Sequence, residues 1–173
     1  EGDPRPPLEG EISRFQPIVL EQVHDQEQRV LFRELVARHH YLGHAVPFGA
    51  HLRYLAYASK PERVVVSCLQ FSSPAWKMAV RDRWIGWDEA TRKRNLQRIV
   101  NNSRFLILPW VRVRNLASTV LSLGARGVEQ DWPARYGVEP LLLETLVDRS
   151  RYGGGCYRAA NWVELGGTAG RGR

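Results

Sequence analysis

The chain has 173 residues, of which 43% are hydrophobic and 25% charged, the proportions of one globular domain able to bury a core without disulfides. No apolar run approaches the roughly 18–20 residues of a membrane span, and the acidic, Pro-rich start EGDPRPPLEGE is unlike a signal or transit peptide, so no membrane partner is expected. The net charge of +7, carried almost entirely by arginine, sets aside an acidic or disordered chain and points instead to a polyanionic partner.

Residues 1–18 carry three prolines in the first seven positions and little periodicity, so they read as an extended arm or linker; residues 19–173 read as a single domain. Asp25 caps a predicted helix running to about Arg38, in which Leu31/Leu35 and Phe32/Val36 recur at i+4 spacing. Gly43, Pro47 and Gly49 break it. Residues 51–57 and 63–71 alternate like strands around a Ser59–Glu62 turn, a predicted antiparallel hairpin. Asp88 starts a second predicted helix through about Val100, and Arg104–Pro109 is an apolar run suited to a buried strand. A helix from Val113 to about Arg126, a buried strand over 141–147, a short helix near 157–161 and a last strand over 162–165 complete the series. The expected fold is α/β: a mixed sheet with flanking helices.

Between Lys77 and Arg114 there are ten basic residues and three acids, so this segment alone carries the whole net excess. Neutralising phosphates with a local cluster releases counterions, which makes Arg81, Arg83, Arg92, Lys93, Arg94, Arg98 and Arg104 the candidate nucleic-acid contacts, with DNA favoured. Trp76, Trp84, Trp87 and Trp110 interleave with them and suit either base stacking or the core. Two cysteines, Cys68 and Cys156, without nearby histidines at ligand spacing fit a reducing, cytoplasmic compartment.

The predicted strand that ends at Pro109 feeds a short basic loop and then a helix. Free N–H groups and the dipole at such a start favour an anion, particularly a pyrophosphate. The positions concerned are Arg112, Val113, Arg114, Asn115, Leu116, Ala117 and Ser118. Together with Tyr157-x-x-x-Asn161-Trp162, this loop resembles the GNAT-type N-acetyltransferases. Those enzymes carry Arg/Gln-x-x-Gly-x-Gly/Ala three residues after a Pro, and Tyr-x-x-x-Gly-aromatic on the last helix. Here Asn115 replaces the loop glycine and Val113 a common second one, and asparagine tolerates the left-handed backbone that glycine supplies. The resemblance implies the acyltransferase fold, acetyl-CoA or a related acyl-CoA bound at 112–118, and Tyr157 as the acid that protonates the leaving thiolate. Glu144 or His40 would be the general base.

A longer resemblance runs from about His39 onward. The phrases HHYLG, RDRWIGW, NNSRFLILPWVRVRNLAS, QDW, LLLETLVD and GGGCYRAANWVELGGTAGRGR are similar to the DruA family of the Druantia anti-phage defence systems, with transposon-associated relatives. That resemblance implies a bacterial setting of foreign or mobile DNA and partners among other defence or transposon proteins. It implies no reaction. Two further readings stay open: a DNA-binding module that keeps the fold without the cofactor, and a metal-dependent nuclease. For the nuclease, Glu144 and Asp148, four apart on a presumed strand, would face one side and hold Mg²⁺ with Asp131 or Asp82. His39-His40 lacks a matching ligand pair, and Cys156 lacks a local activating base.

Overall fold

A computed structural model describes residues 5–168, so the extreme ends of the predicted arm and of the predicted domain lie outside the described residues. Strands and helices follow in the order β1 (Leu8–Glu11), β2 (Ile18–Gln22), α1 (Gln26–His39), β3 (His51–Ala58), β4 (Val64–Ser72), α2 (Ala79–Ile85), α3 (Glu89–Asn95), β5 (Ile99–Ile107), β6 (Val111–Arg114), α4 (Leu116–Tyr136), β7 (Leu142–Thr145) and α5 (Gly155–Ala159). The fold is α/β, as expected: a five-stranded mixed sheet in the order β2-β3-β4-β5-β7 with helices packed on it. The first four strands are antiparallel neighbours, and β7 joins β5 in parallel.

Local chemistry explains the best-defined pieces. Asp25 accepts from the Gln28 amide at 2.7 Å, and Gln28 reaches back to the Asp25 amide, a capping box that fixes the start of α1. One face of α1 buries Phe32, Leu35 and Val36. Strand β4 is buried along its whole length because the sheet is covered on both sides. Helix α4 lies on the face that carries Leu20, Tyr54, Leu69 and Phe71; a Cβ at Gly124 would come within 2.9 Å of Leu69, so this glycine lets helix and sheet approach. Alternation along β3 puts Arg53 on the other face, where its guanidinium lies 5.7 Å over the Phe32 ring of α1.

Several predicted bounds are corrected. The helix expected over 88–100 ends at Asn95, and Ile99 and Val100 begin the central strand β5, their spacing having fitted helix and strand alike. The expected helical start at Val113 is strand β6, which pairs in parallel with β1 from Leu8 opposite Val111 to Glu11 opposite Arg114. Part of the predicted arm is therefore integrated into the fold. Helix α4 then runs past Arg126 to Tyr136. Residues 162–165 form no strand, and α2 had no counterpart in the periodicity.

Candidate functional site

Strand β5 pairs with β7 only as far as Asn102 opposite Thr145, and from there to Ile107 it keeps β4 as its neighbour while its other edge is open. A register shift against β4, where Gln70 faces Arg104 and Phe71 faces Asn102, makes Ser103 an extra residue. Such a bulge flips the alternation, which lets Asn102 and Phe105 meet the same neighbour. That neighbour is Tyr157 of α5. Its hydroxyl donates to Asn102 Oδ1 at 2.7 Å, Thr145 Oγ1 lies 3.4 Å away, and its ring packs edge-on against Phe105 and Trp162. Burial raises the phenol above its ordinary range, so it holds its proton at neutral pH. Thr145 also donates to the Asn102 carbonyl at 3.0 Å, closing the end of the paired region. A groove of about 870 Å³ runs past Glu144, Thr145 and Tyr157 to the segment after Trp162.

At the other end of β5 lies the start of α4. Asn115 caps it with φ 62°, and Asn161 has φ 65°; these are the only non-glycine residues with positive φ among the described residues. Both stand where the acyltransferase patterns carry glycine. A recess of about 480 Å³ beside this helix start is lined by Ile107, Arg112, Val113, Arg114, Leu116 and Ala117, together with Gly10 and Glu11. The amides of Leu116, Ala117 and Ser118 belong to the first turn, whose N–H groups have no intrahelical acceptor. Arg112 and Arg114 do not point freely at that turn: each pairs across the β1–β6 ladder, with Glu9 and Glu11 respectively, at 3.3 Å.

Glu144 lies on the opposite face of β7 from Thr145 by strand alternation. It accepts from Arg81 at 3.1 and 3.3 Å. Burial, opposed by Arg81, raises its carboxyl above the usual range. Arg81, only 3% exposed, also binds Asp82 at 3.0 Å and the Ala75 carbonyl at 3.0 Å. Asp82 is the hub of this network. Burial alone would raise its carboxyl, but hydrogen bonds from Trp87 and Arg81 outweigh it and hold the group below the usual range. Arg92 is also buried, lies 3.5 Å from Asp82, and stacks over Trp76. Arg81 and Arg92 are therefore internal ties that dock α2 and α3, which corrects their expected placement on an exposed phosphate track. Of the other cations in that set, Arg83, Lys93 and Arg94 are exposed, Arg98 is half-buried, and Arg104 donates to the carbonyls of Gly43 and Ser103. Trp76 and Trp84 are half-exposed, whereas Trp110 is buried.

The expected strand alignment of Glu144 with Asp148 is corrected, because β7 ends at Thr145. Asp148 instead accepts from Ser150 and pairs with Arg151, and those bonds hold its carboxyl low. Asp131 is bound to the Tyr54 hydroxyl at 2.9 Å, on the α4 face. Among the described residues, no group of three or more His, Cys, Asp or Glu could hold a metal ion. Cys156 is half-buried, and burial raises its thiol.

His40 stacks on Tyr41 at the end of α1, and its Nδ1 accepts from the Leu42 amide at 3.2 Å. That bond puts the ring proton on Nε2, so the remaining nitrogen is a donor. Burial, then the charge of Arg104, lower its pKa from 6.5 to about 4. The unfolded state therefore binds more protons between those values, and stability falls as pH drops from about 6.5 to about 4. Equilibrium urea melts across that window should show this slope, and His40→Gln should flatten it.

The sequence reading missed Asn102 and Thr145, the partners of Tyr157; in the sequence Asn102 is one of a polar run, Asn101 to Arg104, with nothing to single it out. It also missed Asp82 as a hub. Among the described residues no helix is long and apolar enough to cross a membrane. The family model for the Druantia protein DruA matches residues 2–173. No curated protein and no solved structure matches the chain.

Proposed function

Since the chain belongs to the DruA family, which connects it to anti-phage defence alongside other defence proteins, we propose that it is a nucleic-acid-acting domain of acyltransferase type. The observation that carries this reading is Tyr157, seated where β5 and β7 part, with its hydroxyl fixed by Asn102 at the side of the groove. The start of α4 lies at the far end of the stretch of β5 that β7 leaves open, about 17 Å away along the strand, a span suited to an acyl-pantetheine arm. The left-handed Asn115 and Asn161 support the same geometry, because each preserves the backbone that the motif glycine would supply.

In this reading the amides of Leu116, Ala117 and Ser118 take the pyrophosphate of acyl-CoA. An amine on a nucleobase, or on a molecule bound to nucleic acid, attacks the thioester carbonyl. A C–N bond forms, the C–S bond breaks, the departing sulfur takes the Tyr157 proton, and Tyr157 regains a proton from solvent. Glu144 is tied to Arg81, and His40 presents a donor, so neither is placed to take the amine proton, which leaves to solvent. The exposed Arg83, Lys93 and Arg94, with Arg98 beside them, supply phosphate contacts.

A second reading, a DNA-binding module without cofactor, draws support from Glu9 and Glu11, whose carboxylates neutralise the loop arginines and place Glu11 in the recess an anion would enter. Both readings require nucleic-acid binding that weakens steeply with salt. Lys93→Glu/Arg94→Glu removes two exposed cations on α3, one of them paired only with the exposed Glu89, so folding is little affected. The double variant should weaken duplex binding and reduce the slope of log affinity against log salt by about 1.8, that is about 0.9 for each phosphate no longer neutralised. Fluorescence anisotropy at several salt concentrations reads both quantities. An unchanged slope would remove α3 from the interface, and absence of salt-sensitive binding by the wild type would remove nucleic acid as the ligand.

A further inference from the structure

The segment 41–50, between α1 and β3, displays apolar side chains where a loop normally hides them. Phe48 is 102% exposed, Val46 65% and Leu42 55%. A single exposed apolar residue is unremarkable, but three within seven positions on one loop, with an aromatic ring standing wholly free, form a contact surface. The loop is held at both ends. Arg104 donates to the Gly43 carbonyl at 2.9 Å, Gln70 reaches the Ala45 carbonyl at 3.5 Å, and the Ser73 amide donates to the Ala50 carbonyl at 3.0 Å. Gly43 and Gly49, at φ 62° and 86°, turn the chain sharply on either side of the tip.

Near Tyr41 the loop meets both Asp148 and Arg151, whereas the charges around His44 are of one sign. Arg104 is bonded to the Gly43 carbonyl and Arg53 lies over Phe32; burial, and then Arg53, Arg33 and Arg104, lower the pKa of the His44 imidazole between them. Arg53 is in turn lowered by burial and by the like charge of Arg29. Among the described residues, no carboxylate forms an ion pair with Arg29, Arg33, Arg53 or Arg104. Cations gathered against their own repulsion, with no ion-paired acid among the described residues, are complementary to an anion from outside. None of Arg29, Arg33 and Arg53 belongs to the basic segment 77–114.

We propose that loop 41–50 is a nucleic-acid contact in which Phe48 stacks on an unpaired base while Arg33 and Arg53 take the phosphates beside it. This rests on the nucleic-acid reading above and adds the preference for unpaired bases. An aromatic face receives any base, and a guanidinium fork matches phosphate.

The test uses the full chain, a labelled 20-nucleotide single strand, a duplex of the same sequence, and phosphatidylserine-containing vesicles. Phe48→Ala should weaken single-strand binding by about fivefold or more, as loss of one stacked base does, with the salt slope and melting temperature unchanged. Arg33→Glu should weaken binding and reduce that slope by about 0.7, the value for one phosphate on a single strand. If both variants bind like wild type while Lys93→Glu/Arg94→Glu does not, the loop proposal fails and the nucleic-acid reading stands. Failure of the wild type to bind either nucleic acid overturns both. Vesicle binding that Phe48→Ala abolishes, with single-strand affinity unchanged, would make the loop a membrane contact and overturn the proposal.

Discussion

Arg81→Ala should lower the stability of the fold by about 3–5 kcal/mol, the cost of removing one partner from a buried charge network. Arg81 is 3% exposed and is the cation that faces both Glu144 and Asp82. Without it, Glu144 keeps its burial but loses the charge that opposes it, so its carboxyl titrates still higher. A raised carboxyl begins to destabilise the folded state as pH rises past its unfolded pKa, and does so most above its raised folded pKa. The deficit should therefore be larger at pH 8 than near pH 5, where the variant begins to take up a proton. Urea melts at the two pH values read both the size and the direction. A loss under 1 kcal/mol at pH 8 would mean that Arg81 is a surface cation after all.

The second large effect concerns chemistry rather than folding. Tyr157→Phe should reduce acyl transfer from acetyl-CoA by roughly 10²- to 10⁴-fold, the usual contribution of a positioned general acid. Its ring contacts with Phe105 and Trp162 remain, so the loss to folding is confined to the hydrogen bond at Asn102 Oδ1, about 1 kcal/mol. Labelled acetyl transfer to a nucleic-acid acceptor, measured beside a thermal melt, separates the two. A variant that melts like wild type and transfers at the same rate would leave Tyr157 a packing residue.

How much of this was legible in the sequence depends on the range of the interactions involved. Helix α1 and the β3–β4 hairpin were read nearly to the residue because Asp25 capping and the turn after Ala58 are local signals. The pairing of β1 with β6 joins segments about a hundred residues apart, and two strands of four residues each, mostly exposed, gave no pattern to match. Ile99 and Val100 fit a helical face as well as a strand, and only a place between β4 and β7 decides for the strand. Charge density located the basic segment correctly but not the direction of its side chains. Arg81 and Arg92 turn inward because Asp82 and Glu144 await them, and those acids are distributed across two elements. The Tyr157 motif was visible; its partners Asn102 and Thr145 were not, since they become neighbours only through the parallel register of β5 and β7.

The most direct measurement is the melting temperature of the wild type and of Ala117→Asp with and without millimolar acetyl-CoA. A ligand that binds only the native state raises the transition in proportion to its occupancy. Ala117 is in the first turn of α4, where a carboxylate is favourable to the helix but repels a pyrophosphate, so the variant should fold as well as wild type or better. The acyltransferase reading predicts a rise for the wild type and none for Ala117→Asp. No rise for the wild type, in a preparation that still binds DNA with steep salt dependence, would contradict it and leave the cofactor-free DNA-binding module in its place.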